Sequence, residues 1–387
     1  MPFDFDTPIE RRNSGSMKWD LYTGQDILPM WVADMDFRTA PAIIDALQGV
    51  VEHGVFGYAS HPSELAEVVA LMLKRKYGWH IETDWIVWIP GVVPGLSAAC
   101  RTVGKRGDQV VTNSPIYHHF LHVAQQAGRE LVDVPLHSID GRWSYDIEAI
   151  ERAITPKTGM IMLCSPHNPV GTCFSRDELK ELIDLCKSRN IIICSDEIHC
   201  DLILDEEKSH TPTAMAEPGY ADRTITLMAT SKTFNIAGIN CSFAIIPDEN
   251  LRRAFTNNAR MVMPGVTSMA FAAAMAAFRD SDDWLQALLG YLRGNRDYLE
   301  REIRDIPGLS MPHVEATYLA WINTRELGVE NTQQLFEAHG VGPSGGAQFG
   351  DGDYVRLNFG CPRSTLVQAV TRMKDAVSRF NQGAFRI

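Results

Sequence analysis

A chain of 387 residues is longer than one hydrophobic core usually supports, so we expect one large and one small domain. Hydrophobic residues make up 45% and charged residues 22% of the chain, which is ordinary globular usage and excludes a fibrous or disordered protein. The formal charge of -12 disfavours nucleic acid or an anionic membrane as the main partner.

The N-terminal residues and the cysteines indicate in which cellular compartment the protein is located. MPFDFDTPIERR is acidic and polar, unlike a secretory signal, and no apolar stretch approaches the ~20 residues that span a bilayer. We therefore expect a cytoplasmic protein with no membrane partner. The eight cysteines include no CxxC pair, and several lie in apolar runs such as MIMLCS and IIICSD. They are expected to be buried thiols in a reducing compartment, with no disulfide framework and no metal site.

The first half of the chain alternates between helix and strand patterns. After an N-terminal arm, helical spacing begins at Ala40, and a second helix has Ser63 as its candidate N-cap and Gly78 as its end. Strand patterns then alternate with helices to about residue 250: DWIVWIP, DQVVTNSPIY, ELVDVPL, GMIMLCSP, IIICSDEI, TITLMATS and CSFAII. Several of these runs are apolar throughout, which predicts a mostly parallel sheet wrapped by helices.

The C-terminal part has a different pattern. Helical stretches at 270–278 and 283–304 lead into two strand patterns, ATYLAWIN and YVRLNFG, which lie between helices at 332–339 and 364–380. This order is typical of a small α+β unit. We predict a large α/β domain over residues 48–285 and a small domain formed by residues 1–47 together with 286–387.

Chemically complementary residues follow successive predicted strands. In open α/β sheets the ligand binds beyond the carboxyl ends of the strands. The residues there are Gly91, Val92 and Val93 at a helix start, then Tyr117, Asn168, Asp196, Ser231 and Lys232. Each also has a structural explanation, since Asp196 could cap the next segment, Asn168 could form a turn and Tyr117 could fill the core. Together they predict a pocket for a phosphorylated aromatic aldehyde.

Lys232 is the residue on which this pocket depends. It lies between an apolar run and the glycine-ended turn TFNIAG, where desolvation favours the neutral amine that forms a Schiff base. Pyridoxal phosphate fits the set, because a carboxylate such as Asp196 keeps its ring nitrogen protonated while Lys232 removes the substrate Cα proton. Asn168 and His199 are candidate donors to the ring oxygen. Arg356 offers a fork for a substrate carboxylate, although an arginine in a strand is more often a surface residue.

The motifs SPHNPVG, SDEIH, SKTFNIAG and YVRLNFG resemble the fold-type I pyridoxal-phosphate enzymes, the aspartate aminotransferase superfamily. MKWD, MWVADMDF, FGYASHP, DEIHCDL and KTFNIAGIN resemble more narrowly its cystathionine β-lyase, or carbon-sulfur lyase, branch. The resemblance covers nearly the whole chain. It implies a large domain with a mostly parallel seven-stranded sheet, a smaller α+β domain and pyridoxal 5'-phosphate as cofactor.

The resemblance also implies residue roles. Lys232 matches the cofactor-bearing lysine, Asp196 the partner of the ring nitrogen and Tyr117 the stacking aromatic; these three are the candidate catalytic residues. Asn168 matches the ligand of the ring oxygen and also lies toward the substrate, whose carboxylate Arg356 would bind.

The phosphate contacts and the oligomer follow from the same comparison. Gly91, Val92, Val93 and Ser231 match phosphate contacts. Tyr58 matches a tyrosine that reaches cofactor and substrate from the other subunit, which implies a homodimer.

Three positions depart from the aminotransferase pattern. His199 stands where those enzymes commonly have tyrosine, as in the lyase branch. Ala229 replaces a frequent hydroxyl residue, and Asn240 stands where a phosphate-binding arginine is frequent. Phosphate binding is therefore expected to depend more on backbone dipoles.

The leading functional hypothesis is β-elimination of L-cystathionine or a related sulfur amino acid, which yields a thiol such as homocysteine, pyruvate and ammonia. Transamination of L-amino acids is the alternative, because it shares the removal of the Cα proton. A regulatory binding protein that has lost catalysis is a third hypothesis, against which the intact Lys232, Asp196 and Arg356 argue.

Overall fold

The fold is described from a computed structural model, in which residues 3–383 are described. The strands, in chain order, are β1 (Leu28–Pro29), β2 (Ile86–Ile89), β3 (Gln109–Thr112), β4 (Glu130–Asp133), β5 (His137–Ile139), β6 (Arg142–Ser144), β7 (Thr158–Cys164), β8 (Ile192–Asp196), β9 (Thr224–Ala229), β10 (Ser242–Ile245), β11 (Leu319–Asn323), β12 (Val341–Gly342), β13 (Ser344–Gly345) and β14 (Tyr354–Asn358).

The helices, in chain order, are α1 (Met17–Asp20), α2 (Pro41–His53), α3 (Ser63–Tyr77), α4 (Val92–Thr102), α5 (Phe120–Gln126), α6 (Ile147–Ala153), α7 (Arg176–Arg189), α8 (Thr213–Ala216), α9 (Glu249–Val262), α10 (Ser268–Asp280), α11 (Asp282–Arg304), α12 (Thr332–Ala338) and α13 (Arg363–Asn381). Among residues 3–383, no helix combines the length and the apolar character needed to cross a membrane.

A seven-stranded sheet forms the centre of the large part, in the order β2-β10-β9-β8-β7-β3-β4. Strand β10 runs antiparallel to both of its neighbours, and the other adjacent pairs are parallel. Strands β8 and β9 are buried along their whole length because helices cover both faces of the sheet. The prediction of a mostly parallel seven-stranded sheet is confirmed.

Register places the ends of three central strands side by side. Asp196, the last residue of β8, pairs with Cys164 at the end of β7 and with Leu227 near the end of β9. Side chains that follow β7, β8 and β9 therefore emerge at one edge of the sheet.

Helix ends follow local chemistry, with one correction. Helix α3 ends where Gly78 adopts a left-handed conformation with φ of 66°, as predicted. The prediction of Ser63 as N-cap is wrong: Ser63 is the first helical residue, and Pro62 occupies the cap without a side-chain hydrogen bond. Pro62 has a ψ of 116°, which is extended, so the helical conformation begins at the next residue. By contrast, Ser175 caps α7 in a capping box with Glu178.

The C-terminal part is built on the antiparallel sheet β11-β14-β13 and on helices α11, α12 and α13. The N-terminal arm joins this part, because β1 pairs in parallel with β12. Trp284 of α11 and Tyr318 are fully buried in the hydrophobic core that the arm and the C-terminal part share. Helix α11 runs without a break through residue 285, and the domain limits stay a prediction.

A buried group of charges fixes the arm. Lys18 Nζ lies 2.8 Å from Asp36 Oδ2, and both side chains are buried. Arg11 Nη1 and Trp19 Nε1 donate to Asp36 Oδ1 at 2.6 and 2.8 Å. We call Arg11, Lys18, Trp19 and Asp36 the arm cluster. Because Asp36 is the last residue of the segment 31–36, the arm cluster ties this segment to Arg11, Lys18 and Trp19 of the arm.

Candidate active site

The candidate site lies at the sheet edge where β7, β8 and β9 end. Asp196 closes β8, His199 follows three residues later, and Lys232 comes three residues after the end of β9. Chain segments from the arm and from β14 cover this edge, so the site lies between the two parts of the molecule.

Lys232 is an amine without a carboxylate partner. Its Nζ donates a 2.6 Å hydrogen bond to the carbonyl oxygen of Ala33, and no carboxylate oxygen of residues 3–383 lies within 4 Å of it. Burial lowers the pKa of Lys232 to about 8, and the positive charge of Arg356 acts in the same direction. Asp34 and Asp196 only partly oppose this shift. A substantial fraction of the amine is therefore neutral near physiological pH.

Asp196 is a buried carboxylate without an ion-pair partner among the described residues. Its Oδ1 accepts the backbone N–H of Ile198 at 3.0 Å, which is the local turn that the sequence offered as a structural explanation. In the described part of the chain, no Lys, Arg or His nitrogen lies within 4 Å of its carboxylate. Burial raises the pKa of Asp196 to about 7. A cation placed beside this carboxylate would stabilise its charged form.

His199 is fully enclosed and uncharged. Its Nδ1 is buried and has no hydrogen-bond partner among the described residues, and its ring meets Tyr318 edge-on at 6.1 Å between centroids. Burial, together with the nearby charges of Lys232 and Arg356, lowers the pKa of His199 to about 3. The imidazole is therefore a neutral hydrogen-bonding group.

Arg356 and Asn168 form the opposite side of the site. Arg356 Nη1 donates to Asn168 Oδ1 at 3.0 Å, and its Nη2 donates to the carbonyl oxygen of Trp31 at 2.6 Å. The guanidinium carbon lies 4.6 Å from the ring centroid of Phe349. Arg356 is only 4% exposed, so it is no surface arginine.

The guanidinium of Arg356 is poorly satisfied. Its buried Nε has no hydrogen-bond partner within residues 3–383, and no carboxylate there lies within 4 Å of the group. Burial lowers the pKa of Arg356 to about 10. A buried guanidinium with an unused donor is suited to bind an anionic group of a ligand.

Tyr117 connects the ends of β3 and β7. Its backbone N–H donates to the carbonyl oxygen of Asn168 at 3.1 Å, and its half-buried ring contacts His118. Burial raises the pKa of Tyr117, the charge of Arg356 opposes that shift, and the charge of Asp196 adds to it. The structure thus brings Tyr117, Asn168 and Arg356 together with Asp196.

The start of α4 provides backbone donors. Gly91 is the N-cap in an extended conformation, and Val92 and Val93 open the helix. The N–H groups of a first helical turn have no partner within the helix and lie at the positive end of its dipole. A Cβ on Gly91 would lie 3.2 Å from Pro94 Cδ, so a side chain would crowd this turn. Ser231 lies half-buried immediately before Lys232.

Two of the three positions that depart from the aminotransferase pattern are Ala229 and Asn240, and neither has a charged side chain. Tyr58 lies away from this edge of the sheet. Ala229 is the buried last residue of β9, and Asn240 is exposed in a left-handed turn with φ of 58°. Tyr58 is fully exposed beside a surface cleft that His53 and Ser268 also line. The single chain does not bring Tyr58 to Lys232, so its contribution from a second subunit stays a prediction.

Sequence reasoning missed the part played by residues 31–36. The carbonyl oxygen of Ala33 accepts from Lys232 and also from the Tyr318 hydroxyl at 3.0 Å. Asn358 Nδ2 donates to the carbonyl oxygens of Val32 and Asp34, both at 2.6 Å. In the sequence, the motif MWVADMDF identifies this segment only through its resemblance to the carbon-sulfur lyase branch. Its contacts are made by backbone carbonyl groups, which leave no signature in residue type.

A comparison with known families places the chain. The model of the family "Aminotransferase class I and II" matches residues 26–373. The chain belongs to this family.

Relatives within this family narrow the comparison. Cystathionine β-lyase PatB of Bacillus subtilis (strain 168) is 36% identical over 97% of this chain and 100% of its own length. The crystal structure of OvoB superposes with a TM-score of 0.95 and 43% identity, over 97% of this chain and 99% of that one. Cystalysin from Treponema denticola, solved with pyridoxal 5'-phosphate, gives a TM-score of 0.93 and 32% identity, over 98% and 99%. The predicted fold type, cofactor and lyase-branch resemblance are confirmed.

The family's cofactor fits the residues of this site. Asp196 is a buried carboxylate without a cation, which suits a protonated ring nitrogen. Lys232 is an unpaired amine, which suits an aldehyde, and the start of α4 presents backbone donors, which suit a phosphate. The buried hydroxyl of Thr230 also has no partner in residues 3–383, one residue before Ser231.

Proposed function

We propose that this protein is a pyridoxal-phosphate-dependent carbon-sulfur β-lyase that acts on L-cystathionine or a related sulfur amino acid. The observation that carries the proposal is Lys232, a half-buried amine with a lowered pKa and no carboxylate partner, near Asp196 and Arg356. The name of the relative PatB supports elimination as the reaction.

Each predicted cofactor residue has a task in this proposal. Asp196 holds the ring nitrogen, Tyr117 stacks on the ring, and Asn168 and His199 donate to the ring oxygen. The phosphate is held by the N–H groups of Val92 and Val93, by the close approach at Gly91 and by Ser231. The bound cofactor supplies an electron sink for the substrate carbanion.

The chain's own groups then orient the substrate and move its proton. Arg356 binds the α-carboxylate with Nε, which has no partner in the described chain, and with Nη2, which releases the Trp31 carbonyl. Lys232 in its neutral form removes the Cα proton. The Cβ–S bond breaks with its electron pair on sulfur, and the thiolate is protonated. Water hydrolyses the remaining enamine to pyruvate and ammonia, which balances the reaction.

We further propose a homodimer in the cytoplasm, with domains at residues 48–285 and at 1–47 plus 286–387. The full exposure of Tyr58 in the single chain supports a site completed by a second subunit. The eight cysteines are all buried free thiols, which supports a reducing compartment.

Incubation of the holoenzyme with L-cystathionine and no keto acid tests the reaction. We expect many turnovers with equimolar pyruvate and homocysteine, measured by a coupled dehydrogenase and by thiol titration. Formation of product only after a keto acid is added would instead identify an aminotransferase. A protein that takes up no cofactor, judged by its visible absorbance, and forms no pyruvate would be the non-catalytic binding protein.

A further inference from the structure

A second cavity lies beside the candidate active site. This cleft of about 730 Å³ opens between the N-terminal arm and the C-terminal part, and its lining includes Tyr22, Trp31, Gln333, Glu337, Ser344 and Gln348. We call it the arm cleft. Apart from the Trp31 carbonyl that Arg356 contacts, none of the roles assigned above uses it.

Three residues that line the arm cleft, Trp31, Ser344 and Gln348, are connected to Arg356 by a hydrogen bond, by strand pairing and through the neighbouring Phe349. The Trp31 carbonyl oxygen accepts from Arg356 Nη2 and from Ser344 Oγ, the latter at 3.0 Å. Ser344 also pairs with Arg356 across strands β13 and β14. Gln348 precedes Phe349, whose ring lies against the Arg356 guanidinium. A ligand whose carboxylate reaches Arg356 therefore lies next to Trp31 and Ser344, two residues that line the arm cleft.

The arm cleft has a negative and polar character. Glu337 is half-buried, and its Oε1 accepts from the Tyr22 hydroxyl at 2.8 Å and from Gln333 Nε2 at 3.0 Å. These two bonds leave other lone pairs of the carboxylate available. Among the described residues that line the arm cleft, none is Lys, Arg or His, so Glu337 has no basic neighbour on these walls. The burial of Tyr22 and the charge of Glu337 both raise the pKa of Tyr22, so the tyrosine stays neutral.

We propose that the arm cleft is the subsite for the distal end of the substrate and that it selects a cationic ammonium group through Glu337. This inference rests on the proposed function, because it needs a substrate held by its α-carboxylate at Arg356. Arg356, which contacts the Trp31 carbonyl behind the lining, and Glu337 in the lining match a substrate with a carboxylate near the reacting carbon and an ammonium group beyond the sulfur.

A matched pair of thioethers isolates the ammonium group. S-(3-aminopropyl)-L-cysteine and S-butyl-L-cysteine have the same chain length and differ only in a terminal ammonium or methyl group. A charge-assisted hydrogen bond to Glu337 favours the ammonium substrate about 10- to 100-fold in kcat/KM. We expect this preference in the wild-type holoenzyme, mainly through a lower KM, when pyruvate formation is measured.

The substitution Glu337→Gln tests the residue. A glutamine keeps an oxygen that accepts from Tyr22 and Gln333 but removes the charge. The ratio of kcat/KM for the two thioethers should fall by at least about tenfold, through the ammonium substrate alone. Glu326→Gln is the matched control, because Glu326 is an exposed acid of the same part of the chain and does not line the arm cleft. Its ratio should remain that of the wild type.

The failures of the two proposals are distinguishable. Elimination of both thioethers with a ratio that Glu337→Gln leaves unchanged would overturn the arm-cleft proposal and leave the lyase intact. If the wild type eliminates neither thioether and also forms no pyruvate from L-cystathionine, the lyase proposal fails. Dissociation constants of the same pair, measured by calorimetry on wild type and Glu337→Gln, then decide the arm cleft alone. Equal affinities would reject it.

Discussion

Two lysines of this chain, Lys18, which is buried, and Lys232, which is half-buried, have opposite surroundings. Lys18 is 1% exposed, and its Nζ lies 2.8 Å from Asp36 and 3.5 Å from Asp34. Lys232 has no carboxylate of residues 3–383 within 4 Å and donates to a backbone carbonyl instead. The two carboxylates of these sites differ in the same way. Burial would raise the pKa of Asp36, but Lys18 and Trp19 outweigh it and the pKa is lowered, whereas burial raises that of Asp196 to about 7.

The difference separates structural burial from functional burial. A buried charge with its partner in place stabilises one arrangement of the chain, as the arm cluster does for the arm. A buried charge without a partner costs free energy until a ligand supplies one. The two sites are also connected, because Asp34 forms an ion pair with Arg11 at 2.9 Å and its charge raises the pKa of Lys232.

The largest effect is expected from loss of the unpaired lysine. Lys232→Ala removes the proposed base, so we expect kcat for pyruvate formation from L-cystathionine to fall about 10³- to 10⁴-fold. The visible absorbance of the bound cofactor should shift at the same time, because the covalent attachment is lost. Lys180→Ala, at an exposed lysine of α7, is the control and should retain the wild-type rate. An unchanged rate in Lys232→Ala would show that Lys232 is not the catalytic base.

The paired site should respond in stability. Asp36→Ala removes the nearer carboxylate of the buried Lys18 and leaves only Asp34 at 3.5 Å, so the free energy of unfolding should fall by about 3 kcal/mol in urea denaturation. The double variant Lys18→Met/Asp36→Leu should recover most of this loss, because both fully buried charges are then removed and Arg11 keeps Asp34 as its partner. Glu151→Ala breaks an exposed ion pair with Arg189 and should cost less than about 1 kcal/mol. A loss from Asp36→Ala no larger than this control would mean that the arm cluster does not hold the arm.

The sequence predicted the part of the site that lies at the ends of the parallel strands. Asn168, Asp196 and Lys232 all follow strands of one sheet, so a reading of strand ends brings them together before any coordinate is known. The order of the strands and the antiparallel β10 do not follow from residue patterns, because they depend on which strands pair across long distances in the chain.

The covering half of the site was less predictable. Arg356 was noticed, but its contact with Trp31 joins residues 325 positions apart through a carbonyl group. Phe349 lies under the same guanidinium, and no periodicity points to that contact. The N-cap prediction at Ser63 failed by one residue for a local reason: Ser63 already has helical backbone geometry, so its hydroxyl does not occupy the cap position, which belongs to Pro62.

The smallest effect is the pH dependence that the unpaired lysine gives to the protein after its cofactor is removed. The pKa of Lys232 is about 8 in the folded chain, below its ordinary value of 10.5, so the unfolded chain binds more protons between these values and stability rises with pH there. At about 1.4 kcal/mol per pKa unit, wild type should be less stable than Lys232→Met by up to about 3 kcal/mol at pH 7. This difference should shrink to about 1 kcal/mol at pH 10, as measured by urea denaturation of both proteins without cofactor. A constant offset from the change of side chain does not alter this trend. A difference that stays flat with pH would mean that Lys232, like Lys18, has its charge compensated in the folded chain.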